Sequence, residues 1–204
     1  GLKVMADWDA KYAAAPEGLF GTEPSQYLRQ IVARSDFKSR SCLCLADGDG
    51  RNSRWLAQRG LTVASVDLSR VAVVNATALD LAAGVHVDRT AADLDSWRPS
   101  AGASFDAVFL MYLHAPTPTR MTAIDAGWQA LSAGGWLVLE GFAKAQAAGE
   151  AGPGDPTLLY SLAELHGALP EASVQEALTG RVRLDEGARH QGLAEVVRFA
   201  VRKV

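Results

Sequence analysis

Apolar positions along the chain follow two rhythms. From Ser41 to Phe142, short apolar runs alternate with segments of helical spacing; beyond that, period-two alternation dominates. The runs "SCLCLA", "LTVASVD", "VHVDR", "FDAVFLMYL" and "WLVLEGF" have the length of strands. The run "FDAVFLMYL", continuously apolar after Asp106, predicts a strand buried on both faces. The segment "RNSRWLAQRG" predicts a helix stopped by Gly60. In "SRVAVVNATALDLAAG", Val71, Val74, Ala78 and Leu81 recur at helical spacing, with Ser69 as N-cap and Gly84 past the end. Met121, Ile124, Trp128 and Leu131 mark one face of a further helix, and "SLAELHGAL" predicts another.

The two ends differ from this middle. Met5 to Ala14 predicts a short helix closed near Pro16, and "SQYLRQIVARS" a second with Ser25 as N-cap, the loop "PEGLFGTEP" lying between them. At the other end, "RVRLD" and "LAEVVRFAVRK" both alternate with period two and are joined by "EGARHQG". Two strands with no helix between them form an antiparallel hairpin. The expected fold is α/β: five parallel strands with helical crossovers, finished by an antiparallel pair.

Composition narrows the class. The 204 residues suit one domain, 1–204, with residues 1–35 as an N-terminal helical segment able to act as a lid and 41–204 as the core. A net charge of −3 with 21% charged residues carries no basic surplus, which argues against a nucleic-acid partner. No apolar run reaches the roughly 18 residues of a membrane span, and "GLKVMADWDAKY" lacks the apolar core of a signal peptide. Cys42 and Cys44 are the only cysteines. Two apart in a strand, they share a face without being placed to bridge, and no metal site is expected around them. Reduced cysteines and a cytoplasmic location follow as expectations. No exposed apolar stripe decides between monomer and homodimer.

The chemistry concentrates at strand ends. In "LADGDGRN" a loop of small residues leaves the first strand, where the backbone can approach a ligand and the next helix offers unpaired N–H groups. The dinucleotide fingerprint G-x-G-x-x-G is incomplete: after Gly48 and Gly50 come Arg51, Asn52 and Ser53. Asp67, beside Leu68, ends the second strand 19 residues after Gly48, where a carboxylate can accept from both hydroxyls of a ribose. In "AADLDSW", Asp93 is placed to accept from an adenine amino group and the Leu94 N–H to serve a ring nitrogen, with Asp95 as competitor. Arg51 stands in the first turn of a helix against the macrodipole, so it calls for an anion: Asp47, Asp49, a cofactor carboxylate or an anionic acceptor.

The segments "CLADGDGRNSRWLAQRG", "VDLS", "FDAVFLMYLHAP", "EGARHQGLAEVVRFAVRK" and the opening "WDAKYAAAPEGLFGTEPSQYL" together resemble the small bacterial methyltransferases of the tellurite-resistance and thiopurine type, within class I of the S-adenosylmethionine-dependent enzymes. The resemblance implies a Rossmann-like seven-stranded sheet of order 3-2-1-4-5-7-6 with the last strand antiparallel and helices on both faces. It implies S-adenosyl-L-methionine as cofactor, with Ala46, Asp47 and Gly48 lining its methionine half, Asp67 its ribose, and Asp93 and Leu94 its adenine. Cys44 stands where many class I members carry an acid, and Ala46 replaces the usual first glycine, a position where alanine resists positive φ.

The acceptor would be a small molecule. His114 follows the fourth strand at the carboxyl edge of the sheet, where open α/β sheets bind ligands. The resemblance places a substrate-facing His190 and Arg189 in the tail loop. Trp8, Tyr12 and Phe20 are candidates for an aromatic lid that excludes water. Two other readings stay open: a non-catalytic module binding S-adenosylmethionine or S-adenosylhomocysteine, and a nicotinamide-dependent oxidoreductase.

Overall fold

The computed structural model describes residues 2–148, 152–187 and 189–204; Ala188 of the "EGARHQG" loop lies outside them. Seven strands form one sheet: β1 Ser41–Leu45, β2 Thr62–Asp67, β3 Asp88–Ala91, β4 Phe105–Met111, β5 Leu131–Phe142, β6 Ser173–Asp185 and β7 Gln191–Arg202. Their order is β3-β2-β1-β4-β5-β7-β6. Strands β1 to β5 pair in parallel, and β7 runs antiparallel to both β5 and β6. This is the expected seven-stranded, Rossmann-like arrangement.

Alternation along the central strands divides the core between two faces. Leu43, Leu45, Val108, Leu110, Leu137, Leu139 and Phe199 enter one cluster, with Ile124 and Leu165 from the helices α5 Thr117–Ala130 and α6 Leu162–Ala168. Cys42, Cys44, Phe109, Trp136 and Val138 enter the other, with Tyr27, Leu28 and Ile31 of helix α2 Gln26–Val32 and Leu56 of α3 Arg51–Gln58. Both cysteines are free and buried, and burial pushes the Cys42 thiol up to about 12.

Local signals set most boundaries. Ser25 caps α2 by accepting from the Leu28 N–H, and Ser69 caps α4 Arg70–Ala83 by accepting from Ala72. Gly84 closes α4 in the left-handed region, at φ 69°. Helix α1, Leu2–Ala13, is tied to α4 where the Asn75 amide donates to the Tyr12 carbonyl at 2.9 Å.

Three expectations shift. Strand β3 begins only at Asp88, the fourth residue of "VHVDR", and runs on to Ala91, and β5 starts at Leu131, ahead of the "AGG" expected to precede it. The larger difference is the face of α4. Val74 and Leu81 are 63% and 82% exposed, while Ala72, Ala76 and Asp80 are buried. Two small residues allow close packing, and Asp80 is drawn inward by Arg54 at 3.1 Å and Arg89 at 2.7 Å. Charge pairing, invisible to an apolar periodicity, turns the helix.

Candidate functional site

The strand order reverses between β1 and β4, so the loops leaving β1, β2 and β4 gather at one crevice, where open α/β sheets bind ligands. The first of these, Ala46 to Gly50, is built from left-handed backbone: φ is 55° at Ala46, 58° at Gly48 and 88° at Gly50. Ala46 therefore adopts the conformation that its Cβ resists, at a cost of roughly 1–2 kcal/mol. Gly50 leaves room for a neighbour: a Cβ there would lie 2.2 Å from the Arg89 guanidinium.

Asp67 binds this loop to the end of β2. Its Oδ1 accepts from the Gly48 N–H at 2.9 Å and its Oδ2 from the Ser69 N–H at 3.0 Å. Burial raises its pKa to about 6; the two N–H groups oppose that rise, and Asp47 and Asp49 add to it. Each carboxylate oxygen keeps a lone pair for a further donor.

The other loop acids are taken up by the protein. Asp47, which the resemblance sets beside the cofactor, has its side chain turned under the loop, pairing with Arg89 at 3.0 Å and accepting from the Ser65 and Ser53 hydroxyls. Its backbone remains part of the crevice. Asp49 accepts from the Leu19 N–H at 2.7 Å, and burial raises its carboxyl above the usual range. Arg89 and Arg54 share Asp80 in the same buried network.

Arg51 is buried, and its anion comes from the far end of the chain: Nη1 lies 3.3 Å from Glu186 Oε1 and donates to the Glu23 carbonyl at 2.9 Å. Neither loop aspartate supplies the charge. On the remaining side, Leu68 is half-buried between Asp67 and Ser69. Asp93 is exposed and caps its own turn, accepting from the Asp95 N–H at 2.9 Å, while Leu94 is packed in the core.

The N-terminal segment lies over this crevice. A Cβ on Gly48 would meet the Tyr12 hydroxyl at 2.4 Å. Tyr12 stacks on Trp8 at 5.9 Å, and Trp8 reaches Phe20 at 6.4 Å. The "LFG" turn docks against the β6–β7 loop: a Cβ on Gly187 would lie 2.6 Å from the Phe20 carbonyl, so only glycine permits that approach. Ser25 ties the segment down further, its N–H donating to Asn52 Oδ1 at 2.7 Å and its hydroxyl to Glu140 at 3.2 Å.

Phe20 thus meets His190, with ring centroids 5.1 Å apart. His190 is buried and also lies 4.5 Å from Tyr112 and 5.8 Å from Phe142. Tyr112 follows β4 with φ 62°, its N–H donating to the Glu140 carbonyl at 2.6 Å. His190 Nδ1, Glu186 Oε2 and the Tyr112 hydroxyl are buried with no hydrogen-bond partner of good geometry among the described residues.

The other two acceptor-side candidates are placed differently. His114 stacks on Phe142 at 5.3 Å, but its Nδ1 faces the Leu158 carbonyl at 3.1 Å and its Nε2 accepts from the Phe142 N–H at 3.4 Å. Burial lowers its pKa to about 4, so it is neutral at pH 7 with both nitrogens engaged by backbone. Arg189 is exposed. Glu186, Glu140, Arg89 and Asp80 escaped the sequence reading. The one signal for Glu186 was the unmatched charge of Arg51.

Residues 42–135 match the family model of the methyltransferase domain. No curated protein matches the sequence. Among solved structures, the N-methyltransferase NodS from Bradyrhizobium japonicum, in complex with S-adenosyl-L-homocysteine, is similar at a TM-score of 0.72 and 16% identity, over 98% of this chain and 97% of that one. Magnesium protoporphyrin IX methyltransferase from Synechocystis, with the same ligand bound, gives 0.69 and 17%, over 100% and 99%. TehB from Haemophilus influenzae gives 0.67 and 15%, over 86% of this chain and 62% of that one. The domain match thus covers residues 42–135, and the sheet order β3-β2-β1-β4-β5-β7-β6 is that of the class I methyltransferase fold. Among the described residues, no helix is long and apolar enough to cross a membrane.

Proposed function

We propose that the protein transfers the methyl group of S-adenosylmethionine to a small-molecule nucleophile by in-line displacement, acting in the cytoplasm as a monomer or homodimer within a single domain. One observation carries the reading. The Asp67 carboxylate is fixed at the crevice by the Gly48 and Ser69 N–H groups while keeping the lone pairs that two ribose hydroxyls require.

In this reading the backbone from Ala46 to Gly48 holds the methionine half, Leu68 borders the ribose, and Asp93 with the Leu94 N–H serves the adenine. Arg51 acts from behind, fixing the helix that follows the loop through Glu186. The sulfonium supplies an activated methyl group, so the protein's work is orientation and exclusion of water. Such orientation is worth roughly 7–11 kcal/mol in favourable cases. Residues 1–35 act as the lid, with Tyr12 over the glycine loop and Phe20 over the acceptor side.

The test is calorimetric titration with S-adenosylmethionine, S-adenosylhomocysteine and NAD, on the wild type and on Asp67→Ala. Binding of the two adenosyl ligands, lost in the variant, is the expected result. Preference for NAD, or no binding, overturns the reading.

A further inference from the structure

A pocket of about 190 Å³ opens at the edge of the sheet opposite the crevice. Its lining comes from distant parts of the sequence: Lys38 and Arg40 ahead of β1, Asp106 in β4, residues 132–136 of β5 and Arg202 at the end of β7. Strands β1, β4 and β5 run parallel away from this edge, and β7, antiparallel, arrives at it with Arg202 opposite Trp136. The five residues of β1 set the pocket about 16 Å from the glycine loop. The run Ala133, Gly134, Gly135 puts almost no side chain into the space.

The lining holds three cations, Lys38, Arg40 and Arg202, against one carboxylate, Asp106. Asp106 is already satisfied. Its Oδ2 accepts from the Arg40 and Ser41 N–H groups at 2.8 and 3.2 Å, and its Oδ1 from the Ser132 hydroxyl at 3.4 Å. Asp36, which also feels the charge of Arg202, is paired with Arg34 at 2.9 Å. Arg202 donates to the Gly134 carbonyl through Nε at 3.1 Å and Nη2 at 2.9 Å, which fixes its guanidinium and leaves Nη1 uncommitted among the described residues. Two positive charges are thus left over at the pocket, on a chain whose net charge is −3. Trp136, also in the lining, is 1% exposed and has the guanidiniums of Arg34 and Arg202 over its ring at 5.3 and 5.0 Å. Its indole N–H has no hydrogen-bond partner among the described residues, where a buried donor normally finds an acceptor. Cations without carboxylates and a donor without an acceptor call for the same thing, an anion rich in oxygen.

We propose that this pocket is a second ligand site and takes a phosphate dianion, free or as a small monoester. The charge fits, two negative charges meeting a surplus of two positive ones. The size fits as well: 190 Å³ is the volume of about six waters, room for a phosphate with a short tail and less than a nucleotide fills. Three cations around so small a space suit one tetrahedral group, whose oxygens point in several directions, better than the two separated planar groups of a dicarboxylate. None of these residues lies at the crevice, so the site stands independently of the methyl-transfer reading.

The experiment titrates the isotope-labelled full chain with inorganic phosphate, glycerol 3-phosphate and malonate at about pH 8, where both phosphates are dianions. Sodium chloride holds the ionic strength constant. The Trp136 indole N–H resonance, assigned through Trp136→Phe, is expected to shift and saturate with a phosphate at about 1 mM or below. Calorimetry gives the same constants should that assignment fail. Tighter binding of glycerol 3-phosphate would make the ligand a monoester, and tighter binding of inorganic phosphate the free ion; either supports the site. Removing both exposed cations, Lys38→Ala with Arg40→Ala, should weaken phosphate binding about tenfold. Arg183→Ala, which removes an exposed cation from β6, should leave it unchanged. A response that never saturates, or an equal loss in Arg183→Ala, overturns the site. Malonate binding more tightly than either phosphate overturns the ligand class.

Discussion

The two halves of the crevice solve opposite problems. Under the glycine loop Asp47, Asp80, Arg54 and Arg89 pair with one another, and the Ser53 and Ser65 hydroxyls fill the gaps. Around His190 the walls are aromatic and several polar atoms have no partner of good geometry among the described residues. A satisfied network fixes a geometry, suiting a cofactor that always arrives in the same form. An incomplete one leaves bonding in reserve, and in the proposed reading that second half receives the acceptor.

The comparison breaks most directly at Arg89. Arg89→Met leaves Asp47 and part of Asp80 buried without their cation, and should cost about 3–5 kcal/mol of stability in denaturant unfolding. Adding Asp47→Asn should recover part of it. An Arg89→Met protein as stable as the wild type would show that the network does not hold the loop. Next comes Asp67→Ala, which removes two acceptors from the ribose and should weaken S-adenosylmethionine binding by about a hundredfold in calorimetry, at about 1.5 kcal/mol for each bond to a charged group.

Proton linkage sharpens the contrast. The Asp67 carboxyl is raised in the folded protein from 3.8 to about 6, so the folded state binds its proton more tightly than the unfolded chain. Its contribution to stability is present below the unfolded value and lost as pH rises from 3.8 to about 6. Cofactor affinity runs the other way, because the ionised form accepts from the ribose: it should climb about tenfold per pH unit up to pH 6 and level above it. Titrations across that range check both slopes, and Asp67→Asn should flatten them.

Smaller effects separate architecture from chemistry. His114→Asn should lose about 1–2 kcal/mol of stability with its two backbone bonds and leave the pH profile of turnover unchanged. A displaced profile would return His114 to the list of bases. Smallest of all, Leu81→Lys on the exposed face of α4 should change stability by no more than about 0.5 kcal/mol.

What could be read from the sequence follows the range of the forces involved. Strand runs, helix caps and the Gly48–Asp67 pairing are written locally, because backbone conformation and capping act over a few residues. The face of α4 misled because Ala72, Ala76 and Asp80 outvoted two valines and a leucine, and Asp80 answers to arginines on other elements. Glu186 was illegible for a similar reason: its partner Arg51 is 135 residues away. The unmatched helix-start cation showed that a partner must exist, and only the fold could say which.

The placement of β7 between β5 and β6 has a consequence for how the protein is made. β7 follows β6 in the chain and is the strand that joins it to the sheet, so β6 waits on a growing chain with no ladder to enter. The glycine loop and Asp67 are by then long since translated, whereas the bed for Phe20 arrives with Gly187 and His190. A chain stalled near Asp185 would hold the glycine loop and Asp67 together and leave Phe20 with nothing to close upon. The contact between Phe20 and His190 therefore forms later than the glycine loop, paced by the pairing of residues far apart in the chain.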